Sequence, residues 1–78
     1  MRYDQTLDAN GLLCPLPVLK ARKRLQSMAA GEVLHMLADD PAAVIDVPHF
    51  CDENGHELLA SSARGDGLEF LIRKGNIA

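Results

Sequence analysis

Hydrophobic and polar residues follow one another in the first half of the chain with the periods of a strand and a helix. From Tyr3 to Asp8 bulky and polar side chains alternate, which predicts a short first strand. From Val18 onward the apolar positions recur at helical spacing and basic side chains fill the opposite side, which predicts an amphipathic helix. The predicted apolar face comprises Val18, Ala21, Leu25, Met28 and Ala29. Gly31 follows the last of these positions, where a left-handed residue is expected to end the helix.

The second half of the chain predicts a strand, a helix and a hairpin. Glu32 to Ala38 has the length and apolar density of a buried central strand. Asp39 and Asp40 precede Pro41, an arrangement typical of a helix start. We expect Pro48 to kink or restart this helix and Asn54-Gly55 to end it. The last two predicted strands, His56 to Ala63 and Leu68 to Lys74, flank the four-residue turn Arg64-Gly65-Asp66-Gly67.

The predicted element order is βαβαββ. The strand–helix–strand segment implies a parallel crossover, and the terminal hairpin adds an antiparallel pair. The predicted fold is a two-layer α/β sandwich, in which a mixed four-stranded sheet carries both helices on one face. We expect the other face to be partly covered, with some apolar surface available for a partner. Seventy-eight residues without a linker predict one domain spanning 1–78.

Composition and charge exclude several classes of function. With 47% hydrophobic residues the chain can bury a core, and eight basic against eleven acidic residues disfavour general nucleic-acid binding. The longest apolar run, residues 42–45, is too short for a membrane helix or a signal peptide. We therefore expect a cytoplasmic protein that does not bind membranes, in which the two cysteines are free thiols.

The segment Cys14-Pro15-Leu16-Pro17 is the candidate reactive site. Proline at 15 favours extended angles at Cys14, which places this cysteine at the N-cap of the first helix. Both prolines lack an amide hydrogen, so the amides of Leu16 and Cys14 are left as donors for the sulfur. These donors, the helix dipole and the basic helix face all favour the thiolate and predict a pKa below about 8.5. That basic face comprises Lys20, Arg22, Lys23 and Arg24.

Alternative interpretations remain for both features of this segment. Cys14 could instead be a small buried apolar group. The basic run could be a solvated helix face rather than a partner-docking surface, and Arg73-Lys74 has the same ambiguity.

The spacing of the cysteines indicates which thiol chemistry Cys14 can perform. A C-x-x-C dithiol would have its second cysteine at position 17, which is proline. Since no neighbouring thiol can resolve an adduct, a persulfide or mixed disulfide on Cys14 could persist. This favours a carrier that accepts sulfur and hands it on over a dithiol oxidoreductase.

Cys51 and the histidines are assigned structural roles. Cys51 shares helical spacing with Val44 and Val47, which predicts core packing, although a resolving or auxiliary thiol is the alternative. The spacing of His49, Cys51 and His56 matches no standard zinc site. His35, in the central strand, is interpreted as a hydrogen-bonded or partly exposed histidine rather than a general base. There is no P-loop, no Gly-x-Gly-x-x-Gly and no Ser-His-Asp order, and neither a metal nor a cofactor is expected.

The chain resembles a known family at several blocks. The C-P-x-P motif at Cys14, preceded by Leu7-Asp8-Ala9-Asn10-Gly11-Leu12, looks like the TusA (SirA-like) family of small sulfur carriers. The similar blocks that follow are Asp39-Asp40-Pro41-Ala42, Asp46-Val47-Pro48, Phe50-Cys51, Gly55-His56-Glu57-Leu58 and Leu71-Ile72-Arg73-Lys74-Gly75. The resemblance covers nearly the whole chain.

The resemblance implies a βαβαββ fold and a persulfide on Cys14, with Pro15 and Pro17 shaping its loop around Leu16. It implies a PLP-dependent cysteine desulfurase of the IscS kind as donor and a relay protein as acceptor, leading to 2-thiolation of the wobble uridine in tRNA. PLP would bind the desulfurase, and we expect the free carrier to be a monomer. Candidate partner contacts are Lys20, Arg22, Lys23 and Asp40.

Two departures from the family pattern bear on the choice of partner. Leu13 and Leu16 stand where TusA proper often has Arg and Glu, so the docking surface is more apolar. Paralogues that serve sulfur oxidation, molybdenum cofactor assembly or selenium metabolism share the motif, which leaves the relay partner open.

Two further hypotheses compete with sulfur transfer. One is a non-catalytic binding module that regulates a partner through its sheet face or basic helix. The other is a redox sensor, which needs the Cα atoms of Cys14 and Cys51 within about 7 Å.

Overall fold

The computed structural model describes residues 2–76 and contains the six predicted elements in the predicted order. They are β1 (Gln5–Asp8), α1 (Leu16–Gln26), β2 (Val33–Ala38), α2 (Ala43–Asn54), β3 (Glu57–Arg64) and β4 (Gly67–Arg73). Neither helix in this described part is long and apolar enough to cross a membrane.

The strands form one mixed four-stranded sheet in the order β1-β2-β4-β3. β1 and β2 are parallel, as the crossover through α1 requires, whereas β4 is antiparallel to both of its neighbours. The turn between β3 and β4 is shorter than predicted, because Arg64 already pairs with Gly67. Gly65 takes a φ of 58°, which a two-residue hairpin turn of this kind favours at its first position.

The core lies between the sheet and the two helices, which contact each other. Alternate residues of the central strands, including Leu34, Met36, Phe70 and Ile72, are fully buried against the helices. α1 contributes Pro17, Ala21 and Leu25, and α2 contributes Ala43, Val47, Phe50 and Cys51. The predicted two-layer α/β class is therefore confirmed.

α1 is shorter than its apolar pattern predicts. It ends at Gln26 with Ser27 as its C-cap. Gly31 has the expected positive φ of 89°, but it lies beyond the end of the helix and belongs to the turn before β2. Met28 is buried as predicted, whereas Ala29 is exposed and does not join the core.

The end of α1 is stabilised from the far end of the chain. The Lys74 Nζ donates to the carbonyl oxygens of Leu25 at 2.6 Å and Met28 at 2.9 Å. Carbonyls in the last turn of a helix have no partner within the helix, and a cation there also interacts favourably with the dipole. Lys74 therefore has a structural role, and the docking alternative for this residue is not needed to explain it.

α2 begins later than predicted and runs without a break. Asp40, Pro41 and Ala42 form a turn before the helix, in which Asp40 accepts hydrogen bonds from the amides of Ala42 and Ala43. The helix continues through Pro48, so the expected restart does not occur. It ends at Gly55, whose φ of 72° is the left-handed C-cap that the sequence predicts.

The sheet face opposite the helices carries a buried polar residue, His35. His35 points there, since its neighbours Leu34 and Met36 face the core. Its ring is stacked on Tyr3 at 4.4 Å between centroids and hydrogen-bonded to Glu69, which confirms that it is a satisfied histidine. Within residues 2–76, the large exposed hydrophobic residues are Tyr3, Leu13, Leu16, Leu19, Val44 and Ile45, none of which lies on a strand.

Candidate functional site

Cys14 lies at the end of the loop that connects β1 to α1. Its side chain is exposed and its thiol is free. The N-cap of α1 is Pro15, one residue later than predicted, so Cys14 directly precedes the cap. The Cys14–Pro15 peptide bond is cis. Pro17 lies in the first turn of the helix and is buried, while Leu16 is exposed beside the thiol.

Two consecutive aspartates after β2 hold this loop. The Cys14 backbone N–H donates to Asp40 Oδ2 at 2.6 Å, and the Gly11 N–H donates to Asp39 Oδ1 at 2.9 Å. Hydrogen bonds from the amides of Cys14 and Ala42 lower the pKa of Asp40 from its usual value, so the carboxylate form is favoured. The backbone position of the reactive residue is thus set by the turn between β2 and α2.

The thiol of Cys14 has a carboxylate as its partner. Its Sγ donates a hydrogen bond to Asp46 Oδ2 at 2.9 Å. The pKa of Cys14 is raised from its ordinary value, first by this hydrogen bond, then by desolvation and by the negative charges of Asp46 and Asp40. The expected lowering of this pKa is therefore wrong for the protein on its own.

The predicted lowering of the Cys14 pKa depended partly on two backbone amides, and both of them donate to oxygen atoms instead of the sulfur. The Cys14 N–H is taken by Asp40, and the Leu16 N–H donates to the Leu13 carbonyl at 2.8 Å. Neither amide donates to the sulfur, because each already donates to an oxygen. The start of the helix therefore provides no amide hydrogen bond that would stabilise a thiolate. The hydrogen bond from the sulfur to a carboxylate then decides the direction of the shift.

The predicted basic face is divided between two surfaces. Arg22 lines the same groove as Cys14. Lys20, Lys23 and Arg24 line a different groove, and the Arg24 guanidinium donates to the carbonyl of Thr6 at 3.1 Å. Of the candidate partner contacts on α1, only Arg22 therefore shares a surface depression with the thiol.

The groove beside Cys14 lies between α1 and α2 and has a volume of about 280 Å³. Its lining is Cys14, Pro15, Val18, Leu19, Arg22, Asp46, His49, Phe50, Glu53 and Asn54. His49 and Glu53 are paired across one turn of α2 at 3.0 Å. The lining of the groove thus combines apolar side chains with acidic and basic ones beside one reactive sulfur.

Asp46 is the site residue that the sequence reasoning missed. It occurs in the family-like block Asp46-Val47-Pro48, yet nothing in its local spacing links it to a cysteine 32 residues earlier. Only the packing of α2 beside the start of α1 brings the two side chains together.

Cys51 is a core residue, as predicted. It is 2% exposed, and burial raises the pKa of its thiol to about 11. His56 accepts the Gly75 N–H on its Nδ1, whereas His49 is exposed and paired with Glu53. Within residues 2–76, no group of three or more His, Cys, Asp or Glu side chains is placed to hold a metal ion.

Fold and site together define a small α/β protein with one exposed thiol at the start of a helix and its other thiol in the core. The family described as sulfurtransferase TusA matches residues 5–74. The sulfur carrier protein TusA of Allochromatium vinosum is 49% identical over 72 residues, which cover 92% of this chain and 95% of that protein.

A solved structure has the same fold. The SirA-like protein of Desulfitobacterium hafniense superimposes with a TM-score of 0.79 at 27% identity, covering 94% of this chain and all of that one. This chain belongs to the sulfurtransferase TusA family. The resemblance inferred from its sequence motifs is thereby confirmed.

Proposed function

We propose that this protein is a sulfur carrier that holds sulfane sulfur as a persulfide on Cys14. The observation that supports this most strongly is the distribution of the two thiols: Cys14 is exposed, whereas Cys51 is buried. A persulfide on Cys14 would therefore meet no second thiol at the surface of the same molecule, and it would survive until an acceptor arrives. The similarity to the sulfur carrier of A. vinosum points the same way.

The chemistry is two successive thiol exchanges. The Cys14 thiolate attacks the outer sulfur of a donor persulfide, so that a new S–S bond forms at Sγ and the donor S–S bond breaks. The donor leaves as a thiolate and takes up the proton that Cys14 gave up. An acceptor thiol repeats the exchange on the Cys14 persulfide. Sulfane sulfur moves without net oxidation, so no external oxidant or reductant is needed.

The surface next to Cys14 suits a protein partner. Leu13 and Leu16 flank the cysteine in sequence and are 71% and 46% exposed, and Leu19 lines the same groove. Exposed apolar side chains beside a reactive residue favour docking of a complementary protein surface. Arg22 adds a positive charge in the groove. Lys20, Lys23 and Asp40 remain proposed contacts, and Asp40 also holds the Cys14 amide.

A cysteine desulfurase is the proposed donor, and a relay protein leading to 2-thiolation of the tRNA wobble uridine is the proposed destination. Both follow from the family resemblance. The apolar residues Leu13 and Leu16 alter the docking surface, so a relay for sulfur oxidation, molybdenum cofactor assembly or selenium metabolism is the alternative. Measuring 2-thiouridine in tRNA from a deletion strain separates them: its loss supports the tRNA route, and a normal level favours another pathway.

The carrier role itself is tested by loading. The purified protein is incubated with a cysteine desulfurase and cysteine, and its peptides are analysed by mass spectrometry. We expect one added sulfur atom on the Cys14 peptide of the wild type and of Cys51→Ser, and none on Cys14→Ser. If the wild type takes no sulfur, or if Cys14→Ser takes as much, the carrier role is wrong and a non-catalytic binding module becomes the better explanation.

A further inference from the structure

The thiol of Cys14 is held by a residue that the proposed function does not by itself require. Asp46 lies on the first turn of α2, is half-buried, and accepts a hydrogen bond from the Sγ–H of Cys14 at 2.9 Å. The partner amides that could have stabilised a thiolate are bonded elsewhere, to Asp40 and to the Leu13 carbonyl. In the protein without a partner, the sulfur therefore donates a hydrogen bond to a carboxylate and accepts none from the two amides, and this arrangement favours the thiol over the thiolate.

The other charged groups around the sulfur do not reverse the preference for the thiol over the thiolate. Asp40 faces Cys14 from the turn before α2 and adds a second negative charge. Arg22 lines the groove from α1, and His49 and Glu53 line it from α2, where they pair with each other. Arg22 is thus the permanent positive charge in the lining of the groove. The two carboxylates next to the sulfur, Asp40 and Asp46, are negative.

We propose that Asp46 is the residue that sets the resting state of the carrier: it keeps the empty Cys14 as a positioned thiol and repels the sulfur once it is loaded. The inference rests on the proposed function, because it assigns roles in the same sulfur-carrying site. Asp46 touches the reacting atom, so these roles concern the reactivity of that atom directly.

In the empty carrier, Asp46 suppresses unwanted reactions. Thiolate, and not thiol, is the species that small electrophiles and oxidants attack. A carboxylate that accepts a hydrogen bond from the thiol disfavours the thiolate, so Cys14 is protected although it is exposed. A partner that displaces Asp46 from the sulfur, or that brings a positive charge to the groove, removes this protection where sulfur is to be transferred.

In the loaded carrier, the same carboxylate acts in the opposite sense. The Cys14 Sγ then carries the outer sulfur in place of the hydrogen, so the hydrogen bond to Asp46 is lost. A hydropersulfide is a stronger acid than a thiol, so beside the same carboxylate the outer sulfur ionises at a lower pH than the Cys14 thiol does. The ionised outer sulfur and the Asp46 carboxylate are like charges and repel each other. The outer sulfur is consequently directed away from Asp46, toward the open side of the groove where an acceptor can reach it.

The test is the pH profile of Cys14 alkylation by iodoacetamide, measured on the whole protein without any sulfur donor. We expect Asp46→Asn to lower the pKa of Cys14 and to raise the alkylation rate at pH 7 several-fold, because a lower pKa increases the thiolate fraction. Asp46→Glu, which restores the carboxylate, should recover part of the slow rate. Asp52→Asn removes the same charge from an exposed position of α2 outside the groove and should behave like wild type.

An unchanged or raised pKa in Asp46→Asn, or an equal change in Asp52→Asn, would overturn the proposal. If Asp46→Asn does not fold, an NMR pH titration of the wild type tests the contact between Asp46 and Cys14. The Asp46 carboxyl carbon should sense the ionisation of Cys14 at alkaline pH, and this step should vanish in Cys14→Ser; its presence in both would contradict the contact. Neither readout involves sulfur transfer, so loading of the wild type tests the proposed function separately.

Discussion

The Asp40 carboxylate accepts the backbone N–H of Cys14 at 2.6 Å, although the two residues are 26 positions apart in the chain. This hydrogen bond connects the turn after β2 to the start of α1. The position of the reactive residue therefore depends on the central strand of the sheet and not only on its own loop.

The first prediction concerns this tether. Replacing Asp40 with alanine removes the acceptor for the amides of Cys14 and Ala42. We expect several-fold faster hydrogen exchange at the Cys14 amide, because its protecting hydrogen bond is lost. Asp66→Ala, in the exposed β3–β4 turn, is the matched control and should leave this exchange rate unchanged. Equal exchange in wild type and Asp40→Ala would show that the carboxylate does not hold the loop.

The same tether predicts a pH dependence. The pKa of Asp40 is lowered in the folded protein, so its contribution to stability is fully present above the unfolded-state value of about 4 and is lost as the pH falls through the lowered folded value. In an NMR titration the Cys14 amide resonance should move in this acid range. A Cys14 amide that titrates with a midpoint at or above the ordinary aspartate value would contradict the lowered pKa.

The second prediction separates the two cysteines by reactivity. Cys14 is exposed and Cys51 is buried with a pKa of about 11, so native protein treated with iodoacetamide at pH 8 should be modified at Cys14 alone. Denatured protein should be modified at both. Peptide mass spectrometry reads the result directly. Modification of Cys51 in the native protein at a rate close to that of Cys14 would disprove the assignment of Cys51 to the core.

The third prediction concerns the end of α1. Lys74→Met keeps an aliphatic chain but removes the ammonium group that bonds to the carbonyls of Leu25 and Met28. We expect a loss of about 1–2 kcal/mol in the free energy of unfolding, measured by urea denaturation. Lys23→Met, at an exposed position of α1, is the control and should cost much less. Equal midpoints for the two variants would remove the structural role of Lys74.

The fourth prediction concerns a close approach between two backbone segments. A Cβ at position 75 would lie 1.8 Å from the carbonyl oxygen of Gly55, a contact that backbone movement must relieve. Gly75→Ala should therefore lower the free energy of unfolding by about 1–3 kcal/mol. The neighbouring exposed substitution Asn76→Ala should have little effect. Thermal melts of both variants check this, and a Gly75→Ala protein as stable as Asn76→Ala would show that the segments separate easily.

Local patterns predicted the elements, because buried strands and helices leave apolar runs and apolar periods in the sequence. The dense apolar run of β2 predicts a buried strand, and its Leu34 and Met36 are buried. The helical spacing of Val44, Val47 and Cys51 predicts core packing, which is right for Val47 and Cys51 but wrong for Val44, which is 49% exposed. The contact that stabilises the end of α1 could not be predicted from local pattern, because Lys74 meets the carbonyls of Leu25 and Met28 from 49 and 46 residues away.

The candidate site was predictable in its identity but not in its electrostatics. Cys14 stood out because Pro15 and Pro17 mark a helix start and because position 17 holds no second thiol. The direction of its pKa shift depends on Asp40 and Asp46, which approach from the other helix and its preceding turn. The sequence shows that the amides of Cys14 and Leu16 lack helical partners, but it does not show that both donate to oxygen atoms elsewhere.

The most direct test of the carrier role is the amount of sulfane sulfur that one chain holds. Protein loaded by a cysteine desulfurase and freed of small molecules is treated with cyanide, which removes sulfane sulfur as thiocyanate. The prediction is close to one thiocyanate per chain from the wild type and from Cys51→Ser, and a background level from Cys14→Ser. Thiocyanate from Cys14→Ser at the wild-type level, or none from the wild type, would contradict the central claim that Cys14 carries the sulfur.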